Sequence, residues 1–146
     1  MARDRAVRIE QLVAAPRSVV WDDLSDLASH PDWMRDAVAL TVEDNGPRGL
    51  GTTVEVVTRI GPLRTTDHMV VTGWEPPQRI AVHHRGAVAG DGEFTLEDRG
   101  AYTLVRWVEC LRLPWWFGGA VGAVLARPLL ARVWRGNLRR FAARFI

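Results

Sequence analysis

Four side chains in strand-like stretches have the chemistry for proton transfer: Glu109, His68, His83 and Arg59. General acid–base chemistry needs little more than an acid and a base placed against a substrate. Strand residues alternate between two faces, so Thr103, Val105, Trp107 and Glu109 share one face, and an inward Trp107 carries Glu109 inward with it. Desolvation in an apolar pocket favours the protonated form of a carboxyl group, which suits it to hydrogen bonding or proton transfer. By the same alternation His68 lies with Val70, Thr72 and Trp74, and His83 lies with Ala81. Arg59 stands on the neighbouring strand, placed to meet one of these histidines. Each of the four equally suits a plainer role, as a solvated outer-face group or a satisfied interior partner.

Other chemistries find less support. His83 and His84 are adjacent on a strand, point to opposite faces and so do not clasp one ion. Cys-x-x-Cys and His-Glu-x-x-His spacings are absent, as is a Gly-x-Ser-x-Gly elbow. Gly46, Gly49 and Gly51 precede a strand, whereas a dinucleotide-binding glycine loop opens a helix. The expectation is a protein that uses neither metal nor cofactor.

Seven Trp, four Phe and one Tyr are more large rings than a domain of this size needs for packing, so some are available to a ligand. Candidate lining residues are Trp33 and Met34 on a short helical turn, Val57, Val70, Trp74, Phe94 and Trp107 on strands, and Trp115 and Leu125 where the last helix begins. Trp21, Trp74 and Trp134 also read as core filler. Three consecutive rings at Trp115, Trp116 and Phe117, beside glycines, are awkward to bury together. They predict an exposed patch, a gate or a membrane-contact edge.

The elements that position these groups follow from periodicity. Ala6–Val13 alternates as a half-buried strand, and Pro16 introduces a helix over Ser18–Leu27 with Val19, Val20, Leu24 and Leu27 at helical spacing. Ser29–Met34 forms a second helical turn with Pro31 in its first turn. Strands follow at Val38–Glu43, Thr52–Ile60, Arg64–Trp74, Arg79–His84, Gly92–Glu97 and Tyr102–Leu111, separated by Gly- and Pro-rich turns. In the C-terminal helix Leu130, Trp134, Leu138, Phe141 and Phe145 share one side, Arg132, Arg135 and Arg139 lie opposite, and Pro128 marks a kink or a start. The result is one α+β domain over residues 1–146: a seven-stranded antiparallel sheet curled around a long C-terminal helix, with two short helices between its first two strands.

The chain has 146 residues, one domain's worth, and 47% hydrophobic with 25% charged residues excludes disordered and fibrous classes. All 19 basic residues are Arg, a usage that fits codon bias in a GC-rich, bacterial-type genome. From Arg112 to Ile146 there are seven Arg and no Asp or Glu, whereas the preceding chain carries twelve Arg against seventeen acids. The Arg suit a solvated helix face before they suit nucleic acid; beside the Trp115–Ala126 segment they also suit an anionic membrane surface. Cys110 has no disulfide partner in the chain, and no leader-like apolar stretch follows the charged N-terminus, so the expected location is the cytoplasm. The apolar run Leu113–Ala126 is too short to span a bilayer.

The stretch Ala15-Pro16-Arg17-Ser18-Val19-Val20-Trp21-Asp22-Asp23-Leu24-Ser25-Asp26-Leu27, followed by His30-Pro31-Asp32-Trp33-Met34, resembles the opening of the SRPBCC superfamily. That group contains START domains, birch-pollen-allergen-like proteins and the polyketide cyclase/dehydrase family. Gly49-Leu50-Gly51-Thr52, the turn from Trp74 to Ile80, and Gly100–Trp107 extend the resemblance along essentially the whole chain. The resemblance implies a helix-grip fold that binds a lipid, quinone or polyketide between sheet and helix. It leaves open a cofactor-free cyclase or aromatase, and also an interaction module whose cavity has collapsed.

Overall fold

The computed structural model describes residues 6–86 and 89–146. The alternating first stretch forms β1 (Ala6–Val13), which buries Val7, Ile9 and Val13. Pro16, at φ −62° with an extended ψ, caps α1 (Arg17–Leu24), and Val20, Trp21 and Leu24 form its buried side. The helix stops short of the expected Leu27 because Asp26 takes a non-helical ψ of 84°; a separate 3₁₀ helix (Leu27–Asp32) then begins, with Pro31 inside it.

Six more strands follow: β2 (Ala37–Val42), β3 (Thr53–Ile60), β4 (Leu63–Glu75), β5 (Arg79–Arg85), β6 (Ala89–Arg99) and β7 (Tyr102–Arg112). All neighbours are antiparallel, in the order β1-β7-β6-β5-β4-β3-β2. β6 begins three residues before the expected Gly92, since Gly90 and Gly92 both serve as paired strand residues here. α2 (Gly119–Ala143) runs unbroken through Pro128 and lies along β1. The expected apolar side is the one it buries, with Trp134, Leu138 and Phe141 in the core and Leu130 and Phe145 packed against it.

Register shifts occur in the β2–β3 pairing, between Ala37 and Ala39, and in the β4–β5 pairing, and the second has large consequences. The β4–β5 register shifts between Val71 and Gly73, so that Val71 faces Val82 while Trp74 faces Ile80. A bulge of this kind reverses which residues look inward beyond it. Asp67 and Val71 are buried on the inner face before the bulge, and Trp74 packs inward after it. His68, Val70 and Thr72 therefore do not share a face with Trp74, contrary to simple alternation.

Between the sheet and the second half of α2 the interior is filled by rings. Trp33, Phe94, Trp107, Trp134 and Phe141 meet with centroids 4.8–6.5 Å apart. A polar clamp fixes the same half of the helix. Asp36 accepts hydrogen bonds from Trp134 Nε1 (3.0 Å) and Asn137 Nδ2 (2.6 Å), Asn137 Oδ1 accepts from the Arg35 N–H and from Arg140, and Arg140 Nε donates to the Trp33 carbonyl. Arg144 adds a bidentate pair with Asp23 at 2.9 and 3.0 Å.

Candidate functional site

Thr103, Val105, Trp107 and Glu109 do line one face of β7, and all four are buried. Glu109 is not left alone in apolar surroundings. His84 Nε2 lies 3.1 Å from its Oε2, and the indole N–H of Trp107 donates to its Oε1 at 3.2 Å. β6 lies between the two partners, so the contact has to cross a strand. Gly92 permits it: a Cβ at that position would collide with Glu109 Oε1, so only a residue without one lets the carboxylate lie across the strand toward His84. Asp67, buried on β4, adds its charge from the far side, and among the described residues its Oδ1 has no hydrogen-bond partner.

Burial opposes a charge on His84, but the Glu109 carboxylate, by its charge and its hydrogen bond, outweighs that and raises the imidazole pKa above its ordinary value. His30 shows the reverse balance. Enclosed beside Trp33 and Phe94, with a ring nitrogen 2.7 Å from the Leu24 carbonyl, it has its pKa lowered chiefly by burial.

Above Glu109, the side chains of Val7, Leu111, Leu113, Ala123 and Leu130 close over a void of about 10 Å³, room for about one water. This is the polar end of an otherwise apolar seam between β1, β7 and the first half of α2. Gly92→Val is expected to push the Glu109 carboxylate off His84, lowering the His84 pKa and shifting the Trp107 indole N–H resonance. A proton NMR titration reads both.

The remaining candidates lie elsewhere. His68 is on the outer face, 2.9 Å from Glu43, and His83 pairs outside with Asp91 at 2.8 Å. Arg59 is exposed and stands opposite Arg64, so it meets neither histidine. Val57 and Val70 alternate with buried Val54, Val56 and Val71 and so belong to the outer face. Trp33, Phe94 and Trp107 are inside, with Met34 and Trp74 packed against them, and they pack as core side chains. Trp115 and Leu125 are 88% and 74% exposed, so they do not line an interior. The Phe117 side chain lies outside the described residues. His84 is the residue that alternation missed, though Ile80-x-Val82-x-His84 is the apolar phase of its strand.

A family model described as polyketide cyclase / dehydrase and lipid transport matches residues 4–145. Among solved structures, a START superfamily protein from Mycobacterium smegmatis is 13% identical, with 96% of each chain covered and a TM-score of 0.81. The Zhui aromatase/cyclase from Streptomyces sp. R1128 is 19% identical, with 95% of this chain and 92% of that one covered and a TM-score of 0.71. No curated protein sequence matches. At these identities the structures speak for the fold, a sheet closed on its last helix, and the family match runs through nearly every element that builds it. The chain belongs to the polyketide cyclase/dehydrase and lipid-transport family.

Proposed function

We propose that the protein binds a hydrophobic small molecule, such as a lipid, quinone or polyketide, in the seam between β7, β1 and the first half of α2, with the ligand's polar end at His84 and Glu109. The observation that carries this is the buried imidazole–carboxylate pair placed at the end of an apolar seam. A buried ionisable pair is costly to keep for stability alone, and apolar residues of similar size often serve a core as well or better. The chain keeps one where the helix above it is built from small residues, Gly119, Ala120, Gly122 and Ala123. Gly118 and Gly119 have positive φ at the entry to that half, and Pro128 removes a backbone bond at its far end, while the clamp at Asp36 holds the other half. Outward movement of residues 119–127 enlarges the seam.

Native mass spectrometry of the protein from its own cells, with solvent extraction of what dissociates, tests the reading. A stoichiometric apolar molecule bearing a hydrogen-bonding group is expected. N-phenyl-1-naphthylamine gives an independent readout: its fluorescence rises on binding, and Ala123→Leu, which fills the seam, is expected to reduce the uptake at least about fivefold through overpacking. No extracted molecule and no dye uptake would overturn the proposal.

The His84–Glu109 pair also supports a second reading, acid–base catalysis of ring closure in a polyketide. Turnover of a poly-β-ketone that is lost in both Glu109→Gln and His84→Gln, with dye uptake retained, would select it.

A further inference from the structure

Along α2 the steps Val121, Leu125, Leu129, Arg132, Arg135 and Arg139 are of three or four residues, so these side chains form one stripe on one side of the helix. All six are exposed, which makes this the outward side of α2. The stripe changes character along its length. Its first half is aliphatic, with Val124 and Pro128 beside it, and its second half is arginine. Immediately before it, Trp115 and Trp116 are 88% and 62% exposed. An ordinary solvated helix face does not carry large apolar residues over its first two to three turns, and an apolar patch of this kind marks a contact surface.

The charge of this segment selects the occupant. No Asp or Glu occurs from Arg112 to Ile146. A second copy laid on this stripe in parallel would set Arg against Arg, and in antiparallel would bury Arg against Leu. A nucleic acid would match the Arg but has nothing to offer Val121, Leu125 and Leu129. An anionic bilayer surface offers both partners side by side: acyl chains for the indoles and aliphatic side chains, phosphates for the guanidiniums. Arg8 and Arg135 flank an open groove between β1 and α2, which brings a further cation to the same side. Among the described residues no helix is long and apolar enough to cross a membrane, so the contact is with the interface plane. We infer that the outward stripe of α2, with Trp115 and Trp116, is a docking surface for anionic membranes.

Flotation of the purified protein with vesicles tests this without any ligand, so its outcome is separate from the proposed cavity. Co-flotation is expected with equimolar phosphatidylglycerol and phosphatidylcholine at low salt, and little with phosphatidylcholine alone. Each of Arg132→Gln, Arg135→Gln and Arg139→Gln is expected to weaken binding about fivefold, and the triple variant about a hundredfold. Trp115→Ser and Leu125→Ser, at exposed positions, are expected to weaken it at least tenfold (about 1.4 kcal/mol) with an unchanged melting temperature. Failure to float with the anionic vesicles, equal flotation with phosphatidylcholine alone, or binding indifferent to these variants would overturn the inference. So would a concentration-dependent dimer in sedimentation that Leu125→Ser abolishes, since the stripe would then be covered by a second copy.

Discussion

Asp36→Ala is expected to lower unfolding stability by about 2–5 kcal/mol, more than an exposed substitution does, because it leaves two donors without an acceptor. Asn137 is fully buried and Trp134 nearly so, and both direct N–H groups at the Asp36 carboxylate. A buried donor deprived of its partner costs about 1–3 kcal/mol. For a chain of this length, each kcal/mol corresponds to about 2–4 °C in melting temperature. The comparison is Arg144→Gln, which removes the bidentate pair with Asp23. That pair is partly solvated, and its loss is expected to cost less than about 1 kcal/mol. Equal losses in the two variants, measured by urea unfolding, would mean that the Asp36 clamp does not hold the second half of α2.

Glu109→Gln is expected to reverse the direction of the His84 shift. Burial lowers the imidazole pKa, and with the carboxylate present its charge and hydrogen bond overcome that; with an amide in its place, burial is opposed only by the smaller effects of the Asp67 and Asp91 charges and takes the value below the ordinary 6.5. His30, whose shift is set chiefly by its burial beside Trp33 and Phe94, is expected to titrate low in both proteins. The two histidines give stability opposite dependences on pH. His84, raised in the folded state, contributes stability that is fully present below 6.5 and is lost as pH rises through its folded value. His30, depressed, leaves stability intact above 6.5; as pH falls below that, the unfolded chain takes up a proton that the folded chain refuses. Proton NMR of the imidazole C–H resonances separates them, and an unmoved His84 in Glu109→Gln would show that the pair does not set its protonation.

The fold was legible because its cues are local and repeated: alternation in β1 and β7, Pro16 before α1, paired turns between the meander strands, and the apolar side of α2 from Leu130 to Phe145. The site was legible in part. Trp107 carried Glu109 inward through a strand without interruption, so its phase survived. His68 was misplaced relative to Trp74 because the alternation was read straight through Gly73, where the β4–β5 register shifts; an isolated glycine within a strand is the local mark of such a bulge. His84 was overlooked in favour of His83, although the two differ by one step, since a polar residue at the end of an apolar phase reads as a strand ending. Its partner lies two strands away, across a glycine whose purpose appears only when the Glu109 carboxylate is seen lying over it. The filling of the interior by Trp33, Phe94 and Trp107 also followed from tertiary contact alone, since the same rings suit a core or a cavity wall.

The sheet order places β1 beside β7, with Ala6 opposite Cys110 and Val13 opposite Thr103. Every other strand pair joins neighbours in the chain, across short connections that can close early. The β1–β7 seam instead closes a loop of about a hundred residues, whose entropy has to be met before its contacts are gained. The first of the seven strands is thus the one whose partner lies furthest along the chain, and α2, which lies along it, follows that partner. The seam proposed to hold a ligand therefore lies beside the pairing with the largest loop-closure cost in the sheet, so a ligand bound there holds together segments from the two ends of the fold.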